Sequence, residues 1–227
     1  IFFIYITHRH FSSVCVAGTL APLKLQLFLS QGNYQDFGTW TKINSEFKIN
    51  KKTSFTNKLE LRTFDNSRQI NQFYSQFSFQ RKLNKKLYTS FAWRLRFANE
   101  EYSYNLSNRF HNDLTYQKKY SDFKIYLRLR SQFHIYPFKS NELFERTRLK
   151  VQYKISKKIK IYLYNEQYFL MNRNVTNKYK KNRLGTGIKY ELNKKTSLEL
   201  KYLKIVDINV ESPISFNVIG FKVRNQF

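Results

Sequence analysis

The chain is poor in the residues that staple or punctuate a fold. Cys15 is the only cysteine among 227 residues, which excludes an intrachain disulfide framework and a cysteine-based metal cluster. With three prolines and six glycines, extended segments run without breakers, and no Pro/Gly/Ser-rich linker marks a second domain. No run of about 18 apolar residues occurs, so a membrane-spanning helix is excluded; mean hydropathy is −0.61. Acidic residues are scarce as well, 15 Asp+Glu against 41 Lys+Arg, for a net charge of +26. A soluble protein so charged usually meets nucleic acid or an anionic membrane. Here Lys, Asn, Ile, Tyr and Phe are abundant together, the usage of an AT-rich genome, and this discounts the charge as a nucleic-acid signal. Aromatics at 18% are high for a nucleic-acid domain and suit the interfacial girdles of a transmembrane barrel.

What the chain does have is a recurring turn. Asn50-Lys51-Lys52, Asn84-Lys85-Lys86, Ser156-Lys157-Lys158 and Asn193-Lys194-Lys195 each follow an apolar residue, and Tyr120-Ser121-Asp122 is a degenerate copy between them. The spacing is about 35 residues, within the range of repeat architectures. Each turn separates two runs of alternating apolar and polar residues, which reads as a hairpin. Five hairpins whose strands are long enough to cross a bilayer at a tilt predict a transmembrane β-barrel.

Eleven strands are predicted, near 38–49, 53–64, 70–83, 87–98, 108–119, 123–134, 142–155, 159–170, 182–192, 196–206 and 214–227. Alternation is clearest in the middle: Phe123, Ile125, Leu127, Leu129 and Phe133 share one face, and Lys124, Arg128, Arg130, Gln132 and His134 the other. The lysine turns are short. The other connections, Asp65 to Gln69, Asn99 to Ser107, Ile135 to Asn141, Met171 to Lys181 and Asp207 to Pro213, are longer and polar. That asymmetry is characteristic of outer-membrane barrels, whose short turns are periplasmic. Bacterial barrels usually have an even strand number, so ten or twelve are expected. The fold class is all-β, one antiparallel up-and-down barrel. Residues 1–32, which begin at Ile1, read as a partial or degraded export signal, and 33–227 as the barrel domain.

Asp36-Phe37-Gly38-Thr39-Trp40, then Ile49-Asn50-Lys51-Lys52-Thr53-Ser54-Phe55 and Leu59-Glu60-Leu61-Arg62, with the later run Arg183 to Lys195 through Gly185 and Gly187, resemble the bacterial family called domain of unknown function 2490. That family is similar to outer-membrane β-barrels, mainly of Bacteroidetes-type bacteria, and the likeness covers about residues 35–227. It implies a place in the bacterial outer membrane and carries over no activity or catalytic residue. The terminal Phe227, with Phe221 and Val223 on its face, fits a last strand read by the barrel-assembly machinery; Asn225 departs from the apolar residue expected there.

The face opposite the apolar one would line the lumen with Glu60, Arg62, Arg94, Arg96, Arg128, Arg130, Arg146, Arg148, Glu166, Glu191 and Glu199, together with Lys58, Arg109, Asp113, Lys150, Lys189 and Lys201. Two readings follow. Rings of Arg and Lys favour anions; alternatively, in a barrel this small, side chains fill the interior and pair with one another. Gly185 and Gly187 would relieve crowding. Trp40, Trp93, Tyr88, Tyr120, Tyr162 and Tyr168 could stack bases but are expected in interfacial belts. His8 and His10 lack a third ligand for a metal. A catalytic pairing of His134 with Ser131 or Ser140 can be imagined, and nothing in the spacing singles it out.

The expectation is therefore a non-enzymatic outer-membrane barrel, structural or passively transporting. No cofactor, metal or nucleic acid is expected; the partners would be outer-membrane lipid, lipopolysaccharide and the assembly machinery. An outer-membrane enzyme acting on lipid or lipopolysaccharide is one alternative. A soluble basic barrel that binds nucleic acid or a small apolar ligand is the other, and it requires the Phe/Leu/Ile face to point inward.

Overall fold

The computed structural model describes residues 34–100, 103–172, 176, 178–211 and 213–227. The proposed export segment at 1–32, with Cys15, His8 and His10, lies outside them. Eleven strands form a closed barrel among the described residues: β1 (Tyr34–Lys48), β2 (Thr53–Phe64), β3 (Gln69–Lys82), β4 (Leu87–Glu100), β5 (Ser103–Tyr120), β6 (Phe123–Ile135), β7 (Glu142–Lys154), β8 (Ile159–Leu170), β9 (Tyr179–Glu191), β10 (Thr196–Asp207) and β11 (Ile214–Gln226). Neighbours in sequence pair as antiparallel hairpins throughout. Eleven lies within the expected range of ten to twelve strands, but the even number and the wholly antiparallel sheet are both corrected. In an up-and-down barrel of eleven strands the first and last run the same way, so the sheet closes through a parallel pair, β1 with β11, from Tyr34↔Ile214 to Glu46↔Gln226.

The repeated turn has a local cause. In three of the lysine turns the asparagine side chain accepts the backbone N–H groups two and three residues on, as from Asn50 to Lys52 and Thr53, each at 2.8 Å. Asn84 and Asn193 repeat this, and Ser156 does so through its hydroxyl. A short polar side chain thus supplies the acceptor that a tight turn leaves its backbone without. The lysines need only solvent.

The opposite end departs from expectation between β4 and β5. The stretch Asn99 to Ser107 reads as a loop because it is polar. The two strands in fact stay paired out to Glu100↔Ser103. Ladder hydrogen bonds join backbone groups and do not require apolar side chains. The β2–β3 turn is held differently. Asp65, Asn66 and Ser67 all have positive φ, and the buried carboxylate of Asp36 accepts the N–H groups of Asp65 and Asn66 at 3.1 and 3.0 Å.

The polarity of the wall is inverted relative to a soluble barrel. Ile43, Phe79, Phe91, Leu127, Leu149, Leu163, Leu200 and Phe221 are exposed on the outer face, whereas Glu60, Arg94, Asp113, Arg130, Arg146 and Glu166 are buried inside. Outward rings form a chain at the short-turn end, Phe227 on Phe47 at 5.0 Å, Phe47 to Phe55 at 6.2 Å and Phe55 to Phe79 at 5.1 Å. A strand of 12 residues such as β2, tilted as barrel strands are, rises roughly 30 Å, enough for an apolar band of about 25 Å.

Glycines appear where an inward tyrosine lies across the neighbouring strand. A Cβ at Gly185 would sit 2.4 Å from the Tyr164 ring, and one at Gly187 would sit 2.6 Å from the Tyr162 hydroxyl. Each is the direct cross-strand partner of the tyrosine it accommodates. Gly38 likewise leaves space for Phe216 and the Thr63 carbonyl.

Two outcomes follow. With Cys15 replaced by serine, Ser45→Cys and Asn225→Cys, direct partners across the parallel seam, should form a disulfide on mild oxidation, read as a mobility change on a non-reducing gel; a barrel that closes otherwise would leave both thiols free. Gly185→Ala should lower unfolding stability by about 1–3 kcal/mol through overpacking, and Tyr164→Ala in the same chain should remove part of that loss, both read from urea titrations of tryptophan fluorescence.

Candidate functional site

Three carboxylates organise the lumen. Glu60 on β2 is 1% exposed and meets Arg62 Nε at 2.6 Å, Lys42 Nζ at 2.7 Å and the hydroxyl of Tyr74. Asp113 on β5 accepts two bonds from Arg130, at 2.5 Å from Nε and 2.6 Å from the terminal nitrogen, with Arg128 at 3.7 Å. Glu166 on β8 accepts from Arg128 and from Arg146 at 2.9 Å, with Arg183 at 3.9 Å and the Tyr168 hydroxyl at 3.2 Å. Each carboxylate serves at least two cations. This sharing is how so few acids hold so many bases in a space with little water.

Aromatic faces take up much of the remaining positive charge. Arg62 lies 3.7 Å over Trp40, Arg94 lies 3.6 Å over Tyr74, Arg146 lies 4.1 Å over Tyr168, and Lys150 lies 3.7 Å over Tyr162. Trp40, Tyr88, Tyr162 and Tyr168 therefore point into the lumen and not into an interfacial belt: strand alternation puts them on the charged face, where a ring can meet a cation. Trp93 and Tyr120 are exposed on the outer face.

A cavity of about 740 Å³ occupies the half of the lumen toward the long loops. Fourteen Lys/Arg and four Asp/Glu line it. Its deepest residues include Lys58, Arg148 and Lys201. One inward position nearer the short turns, Tyr162 and Lys222 both bond Glu199, at 2.9 and 2.6 Å, and Lys150 lies over the Tyr162 ring. Below that, Glu191 holds Lys160 and Lys189, and Glu46 holds Arg224. At the mouth, Tyr136 donates to Glu142 at 2.7 Å and shares a 2.8 Å hydrogen bond with His134 Nδ1. Burial and the Glu142 carboxylate raise the Tyr136 phenol above its ordinary range.

A sequence model described as Protein of unknown function (DUF2490) matches residues 37–209. The chain belongs to this family. No curated protein matches it. The DUF2490 match runs from β1 through β10, so it includes Asp36's neighbours Phe37 to Trp40, the three lumen carboxylates and the Gly185/Gly187 pair. Within the matched stretch Gly38 makes room for Phe216, Trp40 carries Arg62, and Asn50 closes the first short turn.

All the sequence-predicted lumen residues point inward, but they form several centres. Glu60 with Arg62, and Glu166 with Arg128 and Arg146, are two of them; Arg130 pairs with Asp113. Glu191 and Glu199 lie nearer the short turns. Arg148 rests against Tyr164 at 5.4 Å. Arg94 and Arg96 on β4 are separated from the β6 and β7 arginines by β5, where Arg109 fills the gap. Inward Lys42, Arg183, Asp36, Tyr74, Leu203 and Ile205 were missed, although strict alternation along β1, β3, β9 and β10 would have found them. Ser131 lies on the exposed outer face and is not brought to His134, whose neighbours are Arg109, Gln132 and Tyr136. No group of three or more His, Cys, Asp and Glu suited to a metal occurs among the described residues.

Glu166→Gln should cost about 3–5 kcal/mol of unfolding free energy, because it strands Arg128 and Arg146 in a buried site. Asp207→Asn, which removes the 3.0 Å partner of the half-exposed Lys181, should cost less than about 1 kcal/mol. Parallel urea titrations compare the two.

Proposed function

We propose that the protein is an integral barrel of a bacterial outer membrane, non-enzymatic, whose lumen is a blind, cationic chamber and not an open pore. The observation that carries this reading is the inversion of polarity: large apolar side chains cover the outside, and ion-paired charge fills the inside. In water that arrangement exposes the apolar surface and buries the charge, both at a cost; in a bilayer it matches the solvent on each face. The closed ring also leaves no unpaired strand edge to face lipid. Outward Phe47, Phe55, Phe79 and Phe227 sit at the depth of an interfacial girdle, and the lysines of the short turns would lie beside anionic headgroups. Outer-membrane lipid and lipopolysaccharide are the partners this surface suits. The assembly machinery would meet the chain at the strand that ends on Phe227. The cluster of Tyr162, Glu199, Lys222 and Lys150 favours a structural or solute-holding role over free passage.

Expression with an export signal, envelope fractionation and electrophoresis with and without boiling form the direct test. The expected result is an outer-membrane band that shifts on heating; a soluble protein without a shift would sink the reading. Leu149→Arg, on the outer face at mid-strand and 52% exposed, should weaken insertion into lipid vesicles by about 2–4 kcal/mol, whereas a soluble barrel would accept it at no cost. In planar bilayers the barrel should conduct far less than an open porin, and steady large currents would overturn the blind chamber.

A further inference from the structure

Five inward residues follow one another around the wall as direct cross-strand partners: Lys58 on β2, Gln76 on β3, Arg94 on β4, Arg109 on β5 and His134 on β6. The next in the row is Glu142 on β7, which Tyr136 engages at the mouth. Three cationic side chains thus share one ladder row with no carboxylate between them. Like charges placed directly opposite across two strands repel. The other opposed arginine pairs, Arg128 with Arg148 and Arg130 with Arg146, have Asp113 and Glu166 within reach. Arg94 and Arg109 do not. Arg94 donates to Gln76 Oε1 at 3.0 and 2.7 Å. Arg109 has a 3.4 Å contact with His134 Nδ1, and its buried Nε has no acceptor. Among the described residues, neither arginine nor Lys58 is ion-paired. All three line the cavity.

The opposite wall has another character. Leu203 and Ile205 on β10 and Phe216 on β11 line the same cavity, and these strands lie across the ring from β4 and β5. There Leu203, Ile205 and Phe216 form an apolar patch flanked by Lys201 and Asp207 of β10, and a site of about 740 Å³ with cationic groups on one side and such a patch on the other has the size and make-up of a small-molecule pocket.

We propose that this chamber binds a small amphiphile bearing a phosphoryl group, its oxygens held by Arg94, Arg109 and Lys58 and its apolar body against Leu203, Ile205 and Phe216. The proposal rests on the solute-holding reading of the lumen and names the solute class. A phosphoryl dianion brings enough charge and acceptor oxygens for two guanidinium forks and an ammonium together, whereas a monocarboxylate brings one charge and satisfies a single fork. Binding relieves the opposed arginines and gives Arg109 Nε an acceptor.

The test is calorimetric titration of the full chain, folded in non-ionic detergent, with phenyl phosphate and with inorganic phosphate. Phenyl phosphate should bind, and about tenfold or more tighter than inorganic phosphate, because its ring leaves water. Arg94→Gln with Arg109→Gln should weaken both probes by about tenfold or more, and Lys58→Gln should weaken both as well. Arg81→Gln, which removes a positive charge from the exposed outer face, should change neither. Ile205→Asn should weaken phenyl phosphate alone. The heat shift shows that each variant is folded. No binding to the folded wild type, or equal affinity in the double arginine variant, overturns the proposal. Equal affinity for the two probes overturns the amphiphile. The titration does not depend on cellular location, so a barrel that fractionates with the outer membrane yet ignores phenyl phosphate defeats this inference alone.

Discussion

Charge neutralisation inside a closed wall is the constraint on which the rest of this structure depends. Glu60, Asp113 and Glu166 each accept from more than one cation, and tyrosine and tryptophan faces absorb further positive charge. Desolvating an ion is costly unless it is paired and hydrogen-bonded. With few acids to distribute, the carboxylates of Glu60, Asp113 and Glu166 have to be shared. Where sharing runs out, Lys58, Arg94 and Arg109 line the cavity without an ion pair among the described residues.

Closure imposes a second condition. Eleven strands in up-and-down order leave β1 and β11 parallel, and parallel pairing is slightly weaker per residue than antiparallel. The seam is reinforced from both faces. Outside, Phe47 stacks on Phe227; inside, Arg224 and Gln226 reach the Glu46 carboxylate. The backbone joins in, with the Phe227 N–H donating to the Glu46 carbonyl at 2.8 Å. Residues near the end of the chain thus bind the two ends of the sheet.

The strands were legible because two local rules agree along most of the chain. Period-two alternation marks which residues share a face, and the Asn-Lys-Lys turns mark where hairpins close. Boundaries at β2 and β8 follow directly from these rules. They mislead between β4 and β5, where polar residues remain in the ladder because only the backbone is being paired. They also mislead for Trp40, Tyr88, Tyr162 and Tyr168, whose aromatic character suggests an interface while their parity places them inside. The lumen residues were legible as a face, since parity decides facing. Their grouping into centres was not, because Glu166 meets Arg128 across two strand interfaces and Glu199 of β10 joins Tyr162 of β8 to Lys222 of β11.

By itself the sequence determined the all-β class, the hairpin repeat, the short-turn end and the two faces of every strand, since these depend on contacts within a few residues or on strict alternation. It left open which face turns inward, because one alternation serves a soluble barrel and an inverted one equally. The tertiary structure decided that question, the odd strand number with its parallel seam, the matching of Gly185 and Gly187 to Tyr164 and Tyr162, and the choice of partner for each buried carboxylate. All of these depend on curvature and on register summed around a closed ring, and no local stretch of chain encodes that sum.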